Sequence, residues 1–340
     1  MISYPRALAV GDVIGVAAPS AGIGAQHAAR LDVAVRHLSS RGFPVRLGSL
    51  VRRDGIAAGS AAERAEELMG LMLDPTVRAV VPPWGGHLAL ALLPSIDFDA
   101  LAADPTWLVG YSDISTLLLP LTLLTGVASL HGQNLMDTPF RVPAPMASWL
   151  DVVRSPPGAV ITQGSAPRFR RSGFADFAAE PGITEYVLDT PGRWSRVDAT
   201  GDVQVSGRLL GGCLETVSHL AGTPYGDVEQ FAVTHAPEGL IVYLESSGSD
   251  AAEVARRLLG LRYAGWFTRA NAVLLGRSRG ADLPGLSQHE AVGLALRDLG
   301  IPVLVDVDCG HVPPHLSLVN GALATLDHSA EGSTITQQLS

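Results

Sequence analysis

The sequence predicts an α/β protein with a mostly parallel sheet and helices on both faces. In the first part of the chain, short apolar runs typical of strands alternate with segments whose apolar residues recur at helical spacing. Such alternation favours a parallel sheet. A second alternation begins near Asp202, after a stretch without periodicity. The length of 340 residues is enough for about two domains.

The elements of the first half follow from these patterns. Leu31, Val35 and Leu38 repeat at helical spacing, and Leu68, Leu71 and Met72 do the same in the next helix. Functional sites in such sheets lie beyond the carboxyl ends of the strands. Strands are predicted over 12–18, 77–81, 107–111 and 127–130, and helices over 28–41, 61–73, 88–93 and 113–124.

Between about residues 155 and 201 the periodicity fades, and Pro, Gly and Arg are frequent. The predicted domains are therefore an N-terminal domain (1–160), a connecting segment with a substrate loop (161–201) and a C-terminal domain (202–330). A closing hairpin over 316–326 is predicted to turn at Asn320-Gly321, and the polar last dozen residues are expected to fray. The C-terminal domain is predicted to hold strands over 240–244, 272–275 and 303–307 and helices over 251–261 and 287–299.

Composition excludes several classes of protein. All 24 basic residues are arginine, so the chain has no Schiff-base lysine, no P-loop lysine and no Ser-Lys dyad. The net charge of −9 argues against binding a nucleic-acid polymer. No apolar run is long enough for a membrane helix, and the start lacks a secretory pattern. A cytoplasmic location is expected by default.

The strongest local signal for chemistry is Gly110-Tyr111-Ser112-Asp113, where an apolar strand ends and a helix begins at once. A serine on such a turn presents its hydroxyl beside the free N–H groups of the helix, as in a nucleophile elbow. The alternative is that Ser112 only caps the helix. Ile114 stands where the α/β-hydrolase pattern requires glycine.

A serine nucleophile needs a base and a residue that orients the base. His311 follows the strand 303–307, and Glu245 follows the strand 240–244, although a strand-end glutamate can equally be a solvated residue. His131 also follows a strand and could be structural or support the site. Gly85 and Gly86, after Pro82-Pro83-Trp84, could bring backbone N–H groups to an oxyanion or form an ordinary turn. Cys213, Cys309 and the histidines do not form a metal-ligand pattern.

Taken together, these motifs resemble the LD-carboxypeptidase and microcin C immunity (MccF-like) serine peptidases over nearly the whole chain. The resemblance rests on seven segments. They are residues 11–20, Gly110-Tyr111-Ser112-Asp113, Leu130-His131-Gly132, Gly211-Gly212-Cys213-Leu214, Gly222-Thr223, Tyr243-Leu244-Glu245 and Asp308-Cys309-Gly310-His311.

The resemblance implies a flavodoxin-like N-terminal domain, a swivelling C-terminal α/β domain and a site in the cleft between them. It implies that Ser112 is the nucleophile, His311 the base and Glu245 the residue that orients it. The implied oxyanion donors are the N–H groups of Gly85 or Gly86 and of Asp113. It also implies a homodimer that needs no metal and no cofactor.

The substrate is expected to be a small molecule or short peptide, and two branches of the family are open. The 133 residues between Ser112 and Glu245 resemble the microcin immunity branch, which acts on aminoacyl nucleotides. There Trp194 could stack on a base, with Arg193 and Arg196 meeting a phosphate or carboxylate. Alternatively, Trp194 packs the connecting segment onto a domain. The other branch is a murein tetrapeptide LD-carboxypeptidase, and a non-catalytic binding protein on the same scaffold is a further alternative.

Overall fold

The computed structural model describes residues 1–198 and 201–340. Within these ranges the strands form two large sheets and one two-stranded sheet. The strands are β1 (Val13–Val16), β2 (Val45–Leu47), β3 (Val77–Val80), β4 (Trp107–Gly110), β5 (Ser129–His131), β6 (Val160–Gly164), β7 (Arg168–Phe169), β8 (Thr190–Pro191), β9 (Ser195–Arg196), β10 (Val203–Cys213), β11 (Leu240–Glu245), β12 (Ala270–Gly276), β13 (Val303–Val307), β14 (Leu318–Asn320), β15 (Leu323–His328) and β16 (Ser333–Gln338). The α-helices are α1 (Ala28–Ser39), α2 (Ala61–Met72), α3 (Phe98–Ala103), α4 (Ser115–Thr125), α5 (Trp149–Val153), α6 (Leu214–Val217), α7 (Val228–His235), α8 (Ala251–Tyr263) and α9 (Gln288–Leu296).

The first sheet has the order β14-β5-β4-β3-β1-β2. Strands β1 to β5 are mutually parallel, and β14 joins the edge antiparallel to β5. The predicted parallel N-terminal sheet is therefore confirmed. The predicted helix 88–93 is a 3₁₀ helix over 89–95, and the predicted helix 113–124 begins with a 3₁₀ turn over 112–114 before α4.

The second sheet has the order β6-β16-β15-β10-β11-β12-β13-β9. Its centre, β10 to β13, is parallel, and its outer strands are antiparallel. All six residues of β11 are buried, as expected for a central strand with both faces covered. The α/β character predicted for the second half is confirmed, with more strands than the sequence indicated.

Helix α4 connects the two sheets. Its residues from Ser115 to Leu123 are all buried, because the helix packs against both β5 and β10. The Ser115 hydroxyl accepts a hydrogen bond from the backbone N–H of Cys213 at 3.0 Å. The turn that precedes α4, which carries Ser112, is thereby held where the two sheets meet.

The predicted hairpin at Asn320-Gly321 is wrong. β14 pairs with β5 in the first sheet, whereas β15 pairs with β10 and β16 in the second. Asn320 is fully buried: its side-chain oxygen accepts from the Tyr243 hydroxyl at 2.8 Å and from the Gly211 N–H at 3.0 Å. The Asn-Gly pair therefore marks the point where the chain crosses between sheets.

The expected fraying of the C-terminus is also wrong. β16 pairs with β15 on one side and with β6 on the other. The Gln337 side chain is buried, accepts from Val319 N–H at 2.8 Å and donates to the Ser317 carbonyl at 2.9 Å. Polar residues can form a sheet strand when their side chains find such buried partners.

The predicted connecting segment contributes β6 and β9 to the second sheet and β7 and β8 to the small one. The division at residues 160 and 202 stays a prediction about folding units. Across the described ranges, no helix is both long and apolar enough to cross a membrane.

Candidate active site

Ser112 lies on a strained turn directly after β4. Its φ is 62°, in the left-handed region that side chains seldom adopt, and the 3₁₀ turn 112–114 leads into α4. A residue held in this conformation stores strain that surrounding structure must balance. Gly110, with φ 156°, has no room for a side chain, because a Cβ there would lie 2.7 Å from the Asn134 side-chain oxygen. The turn has the geometry of a nucleophile elbow.

His311 and Glu245 come to Ser112 from the second sheet. The Nε2 atom of His311 lies 3.1 Å from Ser112 Oγ, and its Nδ1 atom lies 2.7 Å from Glu245 Oε2. The structure thus brings together three residues that are far apart in sequence. Chains of this kind, from hydroxyl to imidazole to carboxylate, can transfer a proton from the hydroxyl and stabilise the imidazolium that results.

The turn that carries His311 depends on a glycine. Gly310 has φ 94°, and a side chain there would collide with the Glu245 carboxylate. Burial alone would lower the pKa of His311. The charge and hydrogen bond of Glu245 outweigh burial, and the pKa of His311 is raised above its ordinary value of 6.5. A base with such a pKa is suited to proton transfer near neutral pH.

Glu245 is the last residue of β11 and its carboxylate is completely buried. Burial opposes its ionisation, but His311 and His131 more than compensate, so the pKa of Glu245 is lowered. His131 Nε2 lies 3.7 Å from Glu245 Oε1. His131, for which the sequence left two roles open, therefore lies beside the carboxylate oxygen that His311 does not use.

The two predicted oxyanion glycines face different neighbours. A Cβ on Gly85 would lie 2.9 Å from Ser112 Oγ and 3.1 Å from Asp113 N. A Cβ on Gly86 would instead collide with the Ser20 hydroxyl. Within the described ranges, neither glycine N–H donates a hydrogen bond to a protein group. Gly85 is therefore the glycine whose backbone borders the nucleophile.

Asp113 contributes its backbone to this corner, while its side chain is occupied elsewhere. The buried carboxylate accepts hydrogen bonds from the Ser20 hydroxyl at 2.5 Å and the Ala89 N–H at 2.8 Å. These bonds attach the start of α4 to the loops after β1 and β3. They fix the direction of the Asp113 N–H beside Ser112.

The predicted role of Trp194 is not compatible with its position. Trp194 is 0% exposed and packs in the core of the second sheet with Leu209 and Val307. Its indole N–H donates to Asp308 Oδ2 at 2.8 Å. The expectation of an exposed stacking side chain is therefore wrong, and the packing alternative holds. The Pro/Gly/Arg-rich sequence around Trp194 is typical of an exposed loop, but Trp194 attaches this segment to the core of the second sheet.

The two predicted arginines beside Trp194 line neither of the cavities next to the triad. Arg196 pairs with Asp198, with Nε 3.2 Å from Oδ1. Arg193 is exposed and lines neither cavity. A contact of either arginine with the substrate stays a prediction.

Sequence reasoning missed the residues that line the small cavity, of about 40 Å³, beside His311. Their only sequence signal is a run of aromatic residues and arginines in a non-periodic stretch. Phe140 stacks on Tyr186 with ring centroids 4.4 Å apart, and the Tyr111 hydroxyl donates to Asp137 at 3.2 Å. The lining also includes Arg170, Phe174, Phe177, Pro313 and His315.

A larger cavity of about 490 Å³ opens at the carboxyl ends of β11, β12 and β13. It reaches Glu245 and Val312 on the triad side. Its lining includes four arginines: Arg170, Arg171, Arg277 and Arg279. The two cavities share Arg170, so anionic and aromatic groups of one ligand could be held on either side of it.

One group of side chains could in principle hold a metal ion. Ligand atoms of Cys213, Glu245 and His311 lie within 4.8 Å of one another, and in the part of the chain described this is the only such group. Two of its three members already bind each other. Burial raises the pKa of the Cys213 thiol, which disfavours the thiolate that zinc prefers.

Comparisons with known proteins identify relatives across the chain. The LD-carboxypeptidase N-terminal domain model matches residues 14–132, and the C-terminal domain model matches residues 206–326. A Vibrio cholerae protein named "Putative carboxypeptidase" is 30% identical over 95% of both chains. The Escherichia coli microcin C7 self-immunity protein MccF is 26% identical over 97% of this chain and 95% of its own. The Pseudomonas aeruginosa murein tetrapeptide carboxypeptidase is 29% identical over 72% and 71%.

Solved structures show the same architecture. A mutant of microcin C7 self-immunity protein MccF in complex with adenosine monophosphate superposes with a TM-score of 0.80, 25% identity and 98% coverage of both chains. A muramoyltetrapeptide carboxypeptidase from Oxalobacter formigenes has a TM-score of 0.69 at 22% identity, covering 96% of this chain and 98% of its own. The overall fold is thus more similar to MccF than to the Oxalobacter enzyme.

Proposed function

Because this chain belongs to the LD-carboxypeptidase family of serine peptidases, we propose that Ser112, His311 and Glu245 are its catalytic triad. The observation that carries the proposal is the chain of contacts from Ser112 through His311 to Glu245, at 3.1 Å and 2.7 Å. The reaction is hydrolysis of an amide bond through an acyl-enzyme.

In this mechanism Ser112 Oγ attacks the amide carbonyl while His311 Nε2 takes its proton. Glu245 stabilises the imidazolium through Nδ1. The backbone N–H groups of Gly85 and Asp113 donate to the developing oxyanion, a contribution worth about 10²–10³ in rate for a single donor. His311 then protonates the leaving amine, and a water molecule attacks the ester with His311 again acting as base.

For the substrate we propose an amide beside an anionic group. Of the two branches we favour the MccF-like one, whose substrates are aminoacyl nucleotides. Support comes from the fold, which is more similar to MccF with bound adenosine monophosphate than to the murein enzyme. Phe174, at the edge of the small cavity, is 64% exposed and offers a surface for a flat ring.

The second candidate is a murein tetrapeptide carboxypeptidase. It is favoured by the burial of Trp194, which removes the side chain predicted to stack on a base. A small cavity lined by a charged arginine also suits the carboxylate end of a peptide. Its support from relatives is comparable in identity, 29% against 26%.

A turnover assay with two substrates tests these proposals. Aspartyl sulfamoyl adenosine and a murein tetrapeptide would each be incubated with wild type, Ser112→Ala and the exposed control Ser40→Ala. A fluorophosphonate that labels active serines would be applied in parallel. We expect labelling and turnover in wild type and Ser40→Ala only, with the nucleotide cleaved faster.

Faster cleavage of the tetrapeptide would select the second candidate. Absence of both labelling and turnover in wild type would favour a non-catalytic binding protein on this scaffold. A homodimer also stays a prediction, which light scattering after size-exclusion chromatography would measure.

A further inference from the structure

Arg170 is a buried cation beside the proposed catalytic centre, and among the described residues its guanidinium forms no ion pair with a carboxylate, although the carboxyl of Asp137 lines the same cavity. We infer that its guanidinium binds the anionic group of the substrate, a carboxylate or phosphate-like group close to the amide that is cut. The inference deepens the proposed function and rests on it. Arg170 follows β7, in a stretch where the sequence offered no motif.

The backbone of Arg170 is attached to the turn that carries His311. Its N–H donates to the carbonyl of Pro313 at 2.9 Å. Arg170 and His311 line the same small cavity, together with Tyr111 from the elbow. A ligand group held by Arg170 would therefore lie within the space that borders the proposed base.

The side chain of Arg170 differs from the other buried arginines. Arg30 donates to three backbone carbonyls, those of Met136, Pro181 and Ile183. Arg277 pairs with Asp308. Arg170 is only 5% exposed, yet among residues 1–198 and 201–340 no acceptor and no carboxylate pairs with its guanidinium.

The surroundings of Arg170 leave the edge of its guanidinium for a ligand. Its central carbon lies 5.8 Å from the ring centroids of both Phe140 and Tyr186. The nearby carboxyl of Asp137 accepts its hydrogen bond from Tyr111 instead. A guanidinium presents a planar fork of N–H donors that matches a carboxylate or phosphate.

Two kinds of substrate carry an anionic group close to the amide that is cut. In a peptide, the carboxylate of the leaving amino acid lies one carbon from the scissile nitrogen. In an aminoacyl nucleotide joined through a phosphoramidate, the phosphate-like group is attached to that nitrogen. Both place a negative charge within three or four bonds of the carbonyl carbon that Ser112 would attack, so one arginine can serve either.

The experiment compares paired ligands that differ only in this charge. The peptide pair is a murein tetrapeptide with a C-terminal carboxylate and the same peptide as a carboxamide. The nucleotide pair is adenosine monophosphate and adenosine, used as inhibitors of the preferred substrate. The enzymes are wild type, Arg170→Met, Arg170→Lys and Arg256→Met, an exposed control on α8.

We expect Arg170→Met to lower kcat/KM for the carboxylate peptide about a hundredfold, or to raise the inhibition constant of adenosine monophosphate by the same factor. The uncharged member of each pair should change less than threefold. Arg170→Lys should lose about tenfold, because it keeps the charge without the fork. Arg256→Met should behave as wild type, and melting temperatures verify folding.

The inference is overturned if Arg170→Met affects charged and uncharged ligands equally, which would mean that Arg170 only packs against the aromatic rings. It is also overturned if wild type neither cleaves the carboxylate peptide faster than the carboxamide nor binds adenosine monophosphate more tightly than adenosine. Fluorophosphonate labelling of Ser112 separates these outcomes from failure of the proposed function, because labelling needs the nucleophile but not Arg170.

Discussion

The elbow at residues 110–114 and the segment at residues 165–194 border the same small cavity, but they are held in different ways. The elbow is held by the left-handed backbone of Ser112, at φ 62°, and by the Asp113 carboxylate, which accepts hydrogen bonds from Ser20 and Ala89. The longer segment is held by distant parts of the chain. Its contacts include those of Arg30 with Pro181 and of Trp194 with Asp308.

The two regions should therefore affect different properties of the enzyme, the elbow its reaction rate and the 165–194 segment its stability. A change of the Ser112 side chain should alter the reaction and leave the fold in place, because the contacts that attach the elbow to the rest of the chain are made by Asp113 and Ser115. A change at an anchor of the 165–194 segment should lower stability and disturb every substrate alike. Four variants test this comparison, in order of decreasing effect.

Ser112→Ala should give the largest effect. Loss of a triad nucleophile costs about 10⁶-fold in kcat, because no other group can form the acyl-enzyme. Steady-state and burst kinetics measure it, and circular dichroism should show an unchanged fold. Retention of even a hundredth of the activity would assign the nucleophile to another residue.

Glu245→Gln should lower kcat by about 10⁴-fold, since the imidazolium of His311 loses its counter-charge. His311 acts as base only when neutral, and Glu245 raises its pKa above 6.5. In wild type, kcat/KM should therefore rise with pH through a value above 6.5. In the variant burial dominates, so the pKa of His311 falls.

The residual activity of Glu245→Gln should consequently reach its plateau at lower pH than that of wild type. The measurement is a pH profile of kcat/KM for both proteins, with the unfolding transition monitored at each pH. An acid limb at the same pH in both would mean that Glu245 does not set the pKa of the base.

Trp194→Ala should act on the other region. Removing a fully buried tryptophan costs about 3–5 kcal/mol of unfolding free energy. Chemical denaturation measures the loss. The rate of cleavage should fall by the same factor for the nucleotide substrate as for the peptide substrate. A selective loss with the nucleotide alone, at unchanged stability, would restore the stacking role for Trp194.

The smallest expected effect is a difference in unfolding free energy between two inactive variants of Ser112. Ser112→Gly should be more stable than Ser112→Ala by about 1 kcal/mol, because only glycine adopts a positive φ without strain. Urea unfolding of both variants measures it. Equal stability would indicate that the elbow relaxes once the serine hydroxyl is gone.

Much of the first sheet could be predicted because its signals are local. Apolar strands, capped helices and the Gly-x-Ser turn depend on neighbours within a few residues. The positions of His311 and Glu245 after strands also followed from sequence pattern, together with the rule that parallel strands present their ends at one edge. That these two side chains meet Ser112 was implied only by the family resemblance.

The errors share one physical cause. Asn320-Gly321, the polar strand β16 and Trp194 each have a composition typical of exposed segments, yet each is buried by contacts with distant residues. No pattern within a short window reports the partner that satisfies a buried amide or indole.

The sequence by itself therefore determined the α/β class, the parallel first sheet and the turn that presents Ser112, since local backbone preferences and apolar periodicity decide these. The tertiary structure alone decided that Trp194 is an anchor, that Gly85 faces Ser112 and that Arg170 is buried in the cavity beside His311. The physical reason is that burial and pairing of a polar side chain depend on which distant elements pack against it.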